Sequence, residues 1–390
     1  MPNQTHPISQ LFKDKFKRSP LLFQAPGRIN LIGEHTDYNE GFVMPAAVDK
    51  HMVFAIAPND NARCNIYAQD FQEGVTFSLH DLNPGETWVN YLMGVLEGFT
   101  RKGLPVKGVD CIFESNIPSG AGLSSSAALC CGFAFALNEI FKCGLSRLEL
   151  AKIAQFSEHE FAGVNCGLMD QYASLFGKEG SALLLDCHSL THQYLPFKFD
   201  DVEILLIDSK VKHSLASSAY NDRRASCEEG VKVLQQCFPQ IKSLRDADMK
   251  SLESVRQFLD DDTFVKCRFV IHEIDRAQRA AKFLKTNDLK NFGQLMFETH
   301  WGLSKDYEVS CAESDLLVTI ASENPESVLG ARQTGGGFGG CTIALVKKKT
   351  VKEFSDKVRK KYVATFKKEP DFYSINISQG VHEMISNASA

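Results

Sequence analysis

Apolar and polar positions alternate with two periods along the chain. Residues 8–18 recur at helical spacing, and "LLFQ" at 21–24 begins a strand that runs into "APGRINLIGEHTDYNEG". Val53–Ala57 reads as a second strand, and "CNIYAQD" and "GVTFSL" alternate like the arms of a hairpin. Trp88–Arg101 returns to helical spacing, and "GVDCIFESNIP" is a strand leading into "PSGAGLSSSAAL" (118–129). From about Ser125 to Phe141 apolar residues cover nearly every face, which predicts a deeply buried helix. "SRLE" sets Ser146 and Glu149 as a capping box for a further helix running through Glu158 to about Phe161. "ALLLDC" and "EILLIDS" are short apolar strands, and "HSLTHQYLPFKFDD" between them is the best break between domains, giving 1–195 and 196–390. The second half reads as mostly helical from Ala216 to about Ala321. A glycine-rich turn between strand-like segments follows, then a basic helix and a final strand.

A chain of 390 residues, 44% apolar and 23% charged, can bury a large globular core. A formal charge of −5 favours neither nucleic acid nor an anionic membrane as partner. No apolar run is long enough for a membrane span, and the first residues lack the apolar core of a secretory signal. The twelve cysteines are scattered without a C-x-x-C pair, which predicts reduced, mostly buried thiols in a cytoplasmic protein. Lys347–Lys349 read as a solvated face.

Five stretches carry candidate chemistry. In "PSGAGLSSSAAL" a strand, a glycine turn and a helix start combine into an anion site, because the first N–H groups of a helix lack internal acceptors. Gly120 and Gly122 permit close approach of a phosphate, Ser124, Ser125 and Ser126 add hydroxyls, and a plain capped helix would need one serine rather than three. No lysine sits in the loop, so it is not a Walker A motif. In "GRINLIGEHTDYNEG", Arg28, Glu34, His35 and Asp37 suit a polyol, although an exposed charged turn would carry the same residues. Glu158 lies near a helix C-terminus, where the dipole disfavours a carboxylate; a cation or simple exposure would explain it. Asp170 opens another helical pattern, as an N-terminal aspartate or as an acceptor for substrate. Tyr220, in "VKHSLASSAYNDRR", is either a substrate donor or a half-buried helix residue, and "TGGGFGGC" (334–341) either approaches another backbone closely or is a loose turn.

Taken together these motifs resemble the GHMP small-molecule kinase family, and more narrowly its galactose-phosphorylating members. "PSGAGLSSSAAL" is similar to the family's phosphate loop and "TGGGFGGC" to its C-terminal glycine motif; "GRINLIGEHTDYNEG", "CGLMDQYASLFG" and "HSLASSAYNDRR" are similar to the sugar-kinase segments. The resemblance spans about residues 10 to 385. It implies an α+β fold of two domains with the active site in the cleft between them. It also implies ATP-dependent phosphorylation of the anomeric hydroxyl of galactose. Asp170 would be the catalytic base and Arg28 its partner, stabilising transferred phosphate charge. Glu34, His35, Asp37, Gly167 and Tyr220 would bind the sugar. Gly120, Ala121, Gly122, Leu123, Ser124, Ser125 and Ser126 would wrap the ATP phosphates, with Trp88 and Tyr91 near the adenine. Ser126 and Glu158 would hold Mg²⁺, and Gly335–Gly340 would shape the site. A monomer binding only galactose and ATP is expected. Ser119 and Ala331 stand where relatives commonly carry glycine and serine, positions without chemistry. A kinase for N-acetylgalactosamine and a catalytically silent sugar sensor are the alternatives.

Overall fold

The computed structural model describes residues 6–85, 87–211 and 216–384. Residues 212–215 of the tyrosine motif, His213 among them, lie outside that range.

Helix α1 (Pro7–Phe16) lies outside the first sheet and buries Ile8 and Phe12 against Val53 and Ala55. The sheet is built from β1 (Leu21–Asn30), β3 (Pro45–Pro58), β4 (Arg63–Ala68), β5 (Glu73–Ser78) and β6 (Val109–Ser115). β2 (Phe42–Val43) belongs to a smaller sheet with β7 (Ser181–Asp186) and β8 (Thr191–Pro196). Helices α2 (Val89–Arg101), α3 (Ser125–Phe141), α4 (Arg147–Glu160) and α5 (Met169–Phe176) cover the inner face. α3 is the buried helix the apolar run predicts: Phe133, Ala134 and Leu137 are inaccessible, and Gly132 lets it sit directly on Ala25 and Phe54. The Ser146–Glu149 capping box is present at the start of α4.

The second half contains β9 (Val202–Asp208), helices α6 (Ala216–Cys237), α7 (Met249–Ser254), α8 (Asp261–Lys285), α9 (Leu289–Lys305) and α10 (Ala312–Ser322), then β10 (Val328–Thr334), β11 (Cys341–Lys347), α11 (Val351–Phe366) and β12 (Asp371–Ile375). Its sheet has the order β10-β11-β9-β12, and the glycine-rich turn joins β10 to β11 antiparallel. The chain then returns: β13 (His382–Glu383) pairs with β1 at the edge of the first sheet, order β13-β1-β3-β6-β4-β5. The stretch read as a linker holds β8, whose alternation is weak because Leu195 is its one buried residue. The division at 195 remains a proposal.

All twelve cysteines are free thiols, seven of them buried. No described helix is long and apolar enough to cross a membrane.

Candidate active site

A register shift between Pro26 and Arg28 turns the end of β1 against the loop preceding α3. There the Arg28 amide donates to the Leu123 carbonyl at 3.0 Å. The Arg28 side chain, 4% exposed, makes a two-pronged contact with Asp170: Nε donates to Oδ1 and Nη2 to Oδ2, each at 2.7 Å. Nη1 donates to the Gly122 carbonyl at 2.6 Å. Burial alone would favour neutral arginine, but the Asp170 charge and hydrogen bonds outweigh it and hold Arg28 above its usual range. Asp170 lies in the first turn of α5, and Ser124 donates its hydroxyl to Oδ2. Arginine, aspartate and phosphate loop are therefore one hydrogen-bonded unit, although Arg28 and Asp170 stand 142 residues apart.

The phosphate loop turns on positive φ at Gly120 (74°), Gly122 (69°) and Ser124 (56°), which sends the chain into α3, whose first residues Ser125 and Ser126 line the cavity between these elements. The glycine-rich turn meets this loop: a Cβ on Gly122 would lie 3.1 Å from the Thr334 carbonyl, and one on Gly335 3.3 Å from Gly122. The turn is thus a close backbone approach rather than a loose connection. A cavity of about 380 Å³ lies where these elements converge. Its walls include Gly120 to Ser126, Arg28, Asp170, Glu158, Glu34, His35, Asp37, Gly167, Tyr220 and Gly335 to Gly337.

Glu34 and His35 are not an exposed charged turn; they are 3% and 4% exposed. His35 Nδ1 hydrogen-bonds the Tyr38 hydroxyl at 2.9 Å, and among the described residues its buried Nε2 has no hydrogen-bond partner. Burial, then the charges of Arg223 and Arg332, push its pKa down to about 3, so the ring is neutral. Burial, then the Asp170 charge, push Asp37 up to about 7. Gly167 is glycine for space: a Cβ there would overlap the Asp37 carboxylate. Tyr220 packs on Gly336 and tilts against the His35 ring, 5.3 Å between centroids.

Glu158, 5% exposed, is not a surface residue. Its Oε2 accepts from Ser126 Oγ at 3.2 Å and Oε1 from Gln171 at 2.8 Å. Burial, then the Asp170 charge, raise its pKa to about 7. Trp88 and Tyr91 stand outside the cavity wall. Trp88 packs edge-on to Phe113 and donates to Glu73 at 3.1 Å, while Tyr91 is pushed up to about 12 by burial and then by the nearby Glu158 charge. Sequence reasoning missed Cys166, which lines the cavity, and Arg332, which hydrogen-bonds Glu34. The quoted motif contained the cysteine, but the arginine carried no signal beyond adjacency to the glycine turn.

Three family models match the chain: the galactokinase galactose-binding signature at residues 10–58, the GHMP kinases N terminal domain at 90–178 and the GHMP kinases C terminal at 280–364. A galactokinase of Clostridium acetobutylicum is 38% identical, covering 97% of this chain and 98% of its own. One of Fusobacterium nucleatum is 40% identical, covering 95% and 97%. The crystal structure of Lactococcus lactis galactokinase complexed with galactose superposes with a TM-score of 0.93 at 32% identity, covering 97% of this chain and 99% of that one. A mevalonate kinase, at 19% identity and a TM-score of 0.62, shares the fold.

Proposed function

The chain belongs to the galactokinases of the GHMP kinase family, and on that premise we propose that it transfers the γ-phosphoryl group of ATP to the anomeric hydroxyl of α-D-galactose, giving galactose 1-phosphate. The observation that carries the reading is the Arg28–Asp170 pair, hydrogen-bonded to the phosphate loop on one side and lining the same cavity as Glu34, His35 and Asp37.

Phosphoryl transfer asks for alignment and charge neutralisation rather than covalent chemistry. The ATP phosphates lie on the amide mouth of α3, between the glycines of the loop and the Ser124–Ser126 hydroxyls. The sugar lies on the opposite wall, its hydroxyls donating to Glu34 and Asp37 and meeting neutral His35 and Tyr220. Asp170 is the base. Its Oδ2 receives Arg28 and Ser124, but Oδ1 receives only Arg28 Nε among the described residues, leaving a lone pair for the sugar C1 hydroxyl. The proton leaves late, as the phosphoryl group arrives and acidifies that hydroxyl. Arg28, held between Asp170 and Gly122, places fixed positive charge where phosphate charge develops.

The donor set fits a magnesium ion. Mg²⁺ takes one or two protein oxygens and completes its shell with water and phosphate. The Ser126 hydroxyl and the buried Glu158 carboxylate provide two such oxygens side by side. No cluster of three or more His, Cys, Asp or Glu forms a denser cage among the described residues. When bound, the ion would neutralise β- and γ-phosphate charge. Trp88 and Tyr91 border the adenine in this reading.

The decisive experiment measures ATP consumption with galactose, its deoxy analogues and N-acetylgalactosamine. Galactose as the preferred acceptor is expected; no turnover with any sugar points to a silent sensor, and preference for the N-acetyl sugar reassigns the substrate. Asp170→Ala should lower turnover at least about a thousandfold while ATP still binds. Near-normal turnover in that variant removes Asp170 from the mechanism.

A further inference from the structure

We propose that Arg332, on β10, is a positioning residue of the sugar site: it holds Glu34 so that one carboxylate oxygen is occupied and the other is presented to a galactose hydroxyl. The inference rests on the galactokinase reading above.

Arg332 has no exposed surface and lies 298 residues from Glu34. Its Nη2 donates to Glu34 Oε2, and its Nη1 to the Asn30 carbonyl. Asn30 Nδ2 donates to the same Oε2 at 2.8 Å. Among the described residues no protein donor reaches Oε1, although Glu34 lines the cavity. Two donors converging on one oxygen of a carboxylate fix its rotation and leave the lone pairs of the other unspent.

The backbone under Glu34 is gripped from the same half of the molecule. Glu273, on α8 and without exposed surface, accepts the Gly33 amide at 2.8 Å and the Glu34 amide at 3.3 Å through Oε1. Thr299 donates to both Glu273 oxygens, at 3.1 and 3.0 Å, and Arg276 pairs with it. Glu34 is therefore held at its peptide by α8 and at its carboxylate by β10. β10 also runs directly into the glycine turn that abuts the phosphate loop, so one strand sets both the sugar acceptor and the wall facing the nucleotide.

A fully buried ion pair is an inefficient way to gain stability, because desolvation consumes most of the attraction. Its use here is geometric. A paired carboxylate is a charged acceptor, stronger toward a hydroxyl than a neutral one, and acts only if aimed.

The test is Arg332→Lys, which keeps the buried charge but replaces a two-pronged donor with one ammonium. The galactose KM, and the galactose Kd measured by calorimetry without nucleotide, should both rise about ten- to a hundredfold, with the ATP KM within about twofold of wild type. In an E34Q background the same substitution should add little further loss of galactose affinity, because the oxygen it aims has already been altered. An unchanged galactose Kd, an equal rise in both KM values, or full additivity with E34Q overturns the proposal. If the lysine variant does not fold, Arg332→Gln replaces it, keeping a neutral donor toward Glu34: a selective loss of galactose affinity supports the aiming of Glu34, and unchanged affinity overturns it. A wild-type protein that makes no galactose 1-phosphate overturns the functional reading and this inference together. An active wild type with an unaffected lysine variant overturns only the role of Arg332.

Discussion

Asp37, proposed above to bind the sugar, also destabilises the fold as pH rises. Burial, then Asp170, raise its carboxyl to about 7. Unfolded aspartate titrates near 4, so between roughly pH 4 and 7 the native state holds a proton that the unfolded chain has lost. The contribution of Asp37 to stability is therefore favourable at low pH and falls as pH rises through that window. Asp37→Asn should raise the melting temperature at about pH 8 and leave it nearly unchanged at about pH 4, read by calorimetric unfolding. Sugar binding should show the opposite trend. The ionised acceptor binds hydroxyls better, so the galactose Kd of wild type should fall severalfold between about pH 6 and pH 8, and Asp37→Asn should abolish that slope. Gly167 acts on the same carboxylate through space. Gly167→Ala places a methyl where Asp37 sits, and should raise the galactose KM about tenfold or more while sparing the ATP KM in steady-state kinetics. Neither effect is legible in the residue order, because Asp37 and Gly167 meet only after folding.

Helices and strands were legible wherever their periodicity had a partner to satisfy. α3 spans Ser125–Phe141 as its apolar run requires, and α4 begins at the capping box that Ser146 and Glu149 specify. β8 was hidden because an edge strand with one buried residue alternates too weakly. The glycine-rich turn was legible as special but not as to its neighbour. Its contact with the phosphate loop makes Gly122 sensitive twice, through its φ of 69° and because an added Cβ would lie only 3.1 Å from the Thr334 carbonyl. Gly122→Ala should raise the ATP KM severalfold to tenfold, since an L-residue in that conformation costs about 1 kcal/mol before any displacement of the turn. Galactose affinity measured without nucleotide should change less than the ATP KM.

At the scale of the whole molecule the two halves are tied together away from the cleft as well as within it. After β12 the chain crosses back to the first sheet, where Val381 is fully buried and its carbonyl accepts from Arg147 at 3.0 Å. β13 then pairs with β1 through Phe23 and Gln24. β1 carries Arg28 at its far end, so the return of the chain braces the strand that supplies the site. Val381→Asp buries an unpaired charge there and should cost about 3–5 kcal/mol in denaturant unfolding. Any surviving folded fraction should keep its sugar preference, because the cavity wall is untouched.

Residue order by itself determined what is local: the period of each helix and most strands, the cap at Ser146, the glycines that turn the phosphate loop, and the collection of acids, imidazole and hydroxyls fit for sugar and phosphate. These follow from backbone sterics and from side-chain chemistry within a few positions. Tertiary structure alone decided which of them meet. The Arg28–Asp170 pair, the charges that with burial displace the titrations of Asp37 and His35, and the grip of Arg332 and Glu273 on Glu34 join residues more than a hundred positions apart. Desolvation and directional hydrogen bonds depend on distance in space, which the order of residues does not encode locally.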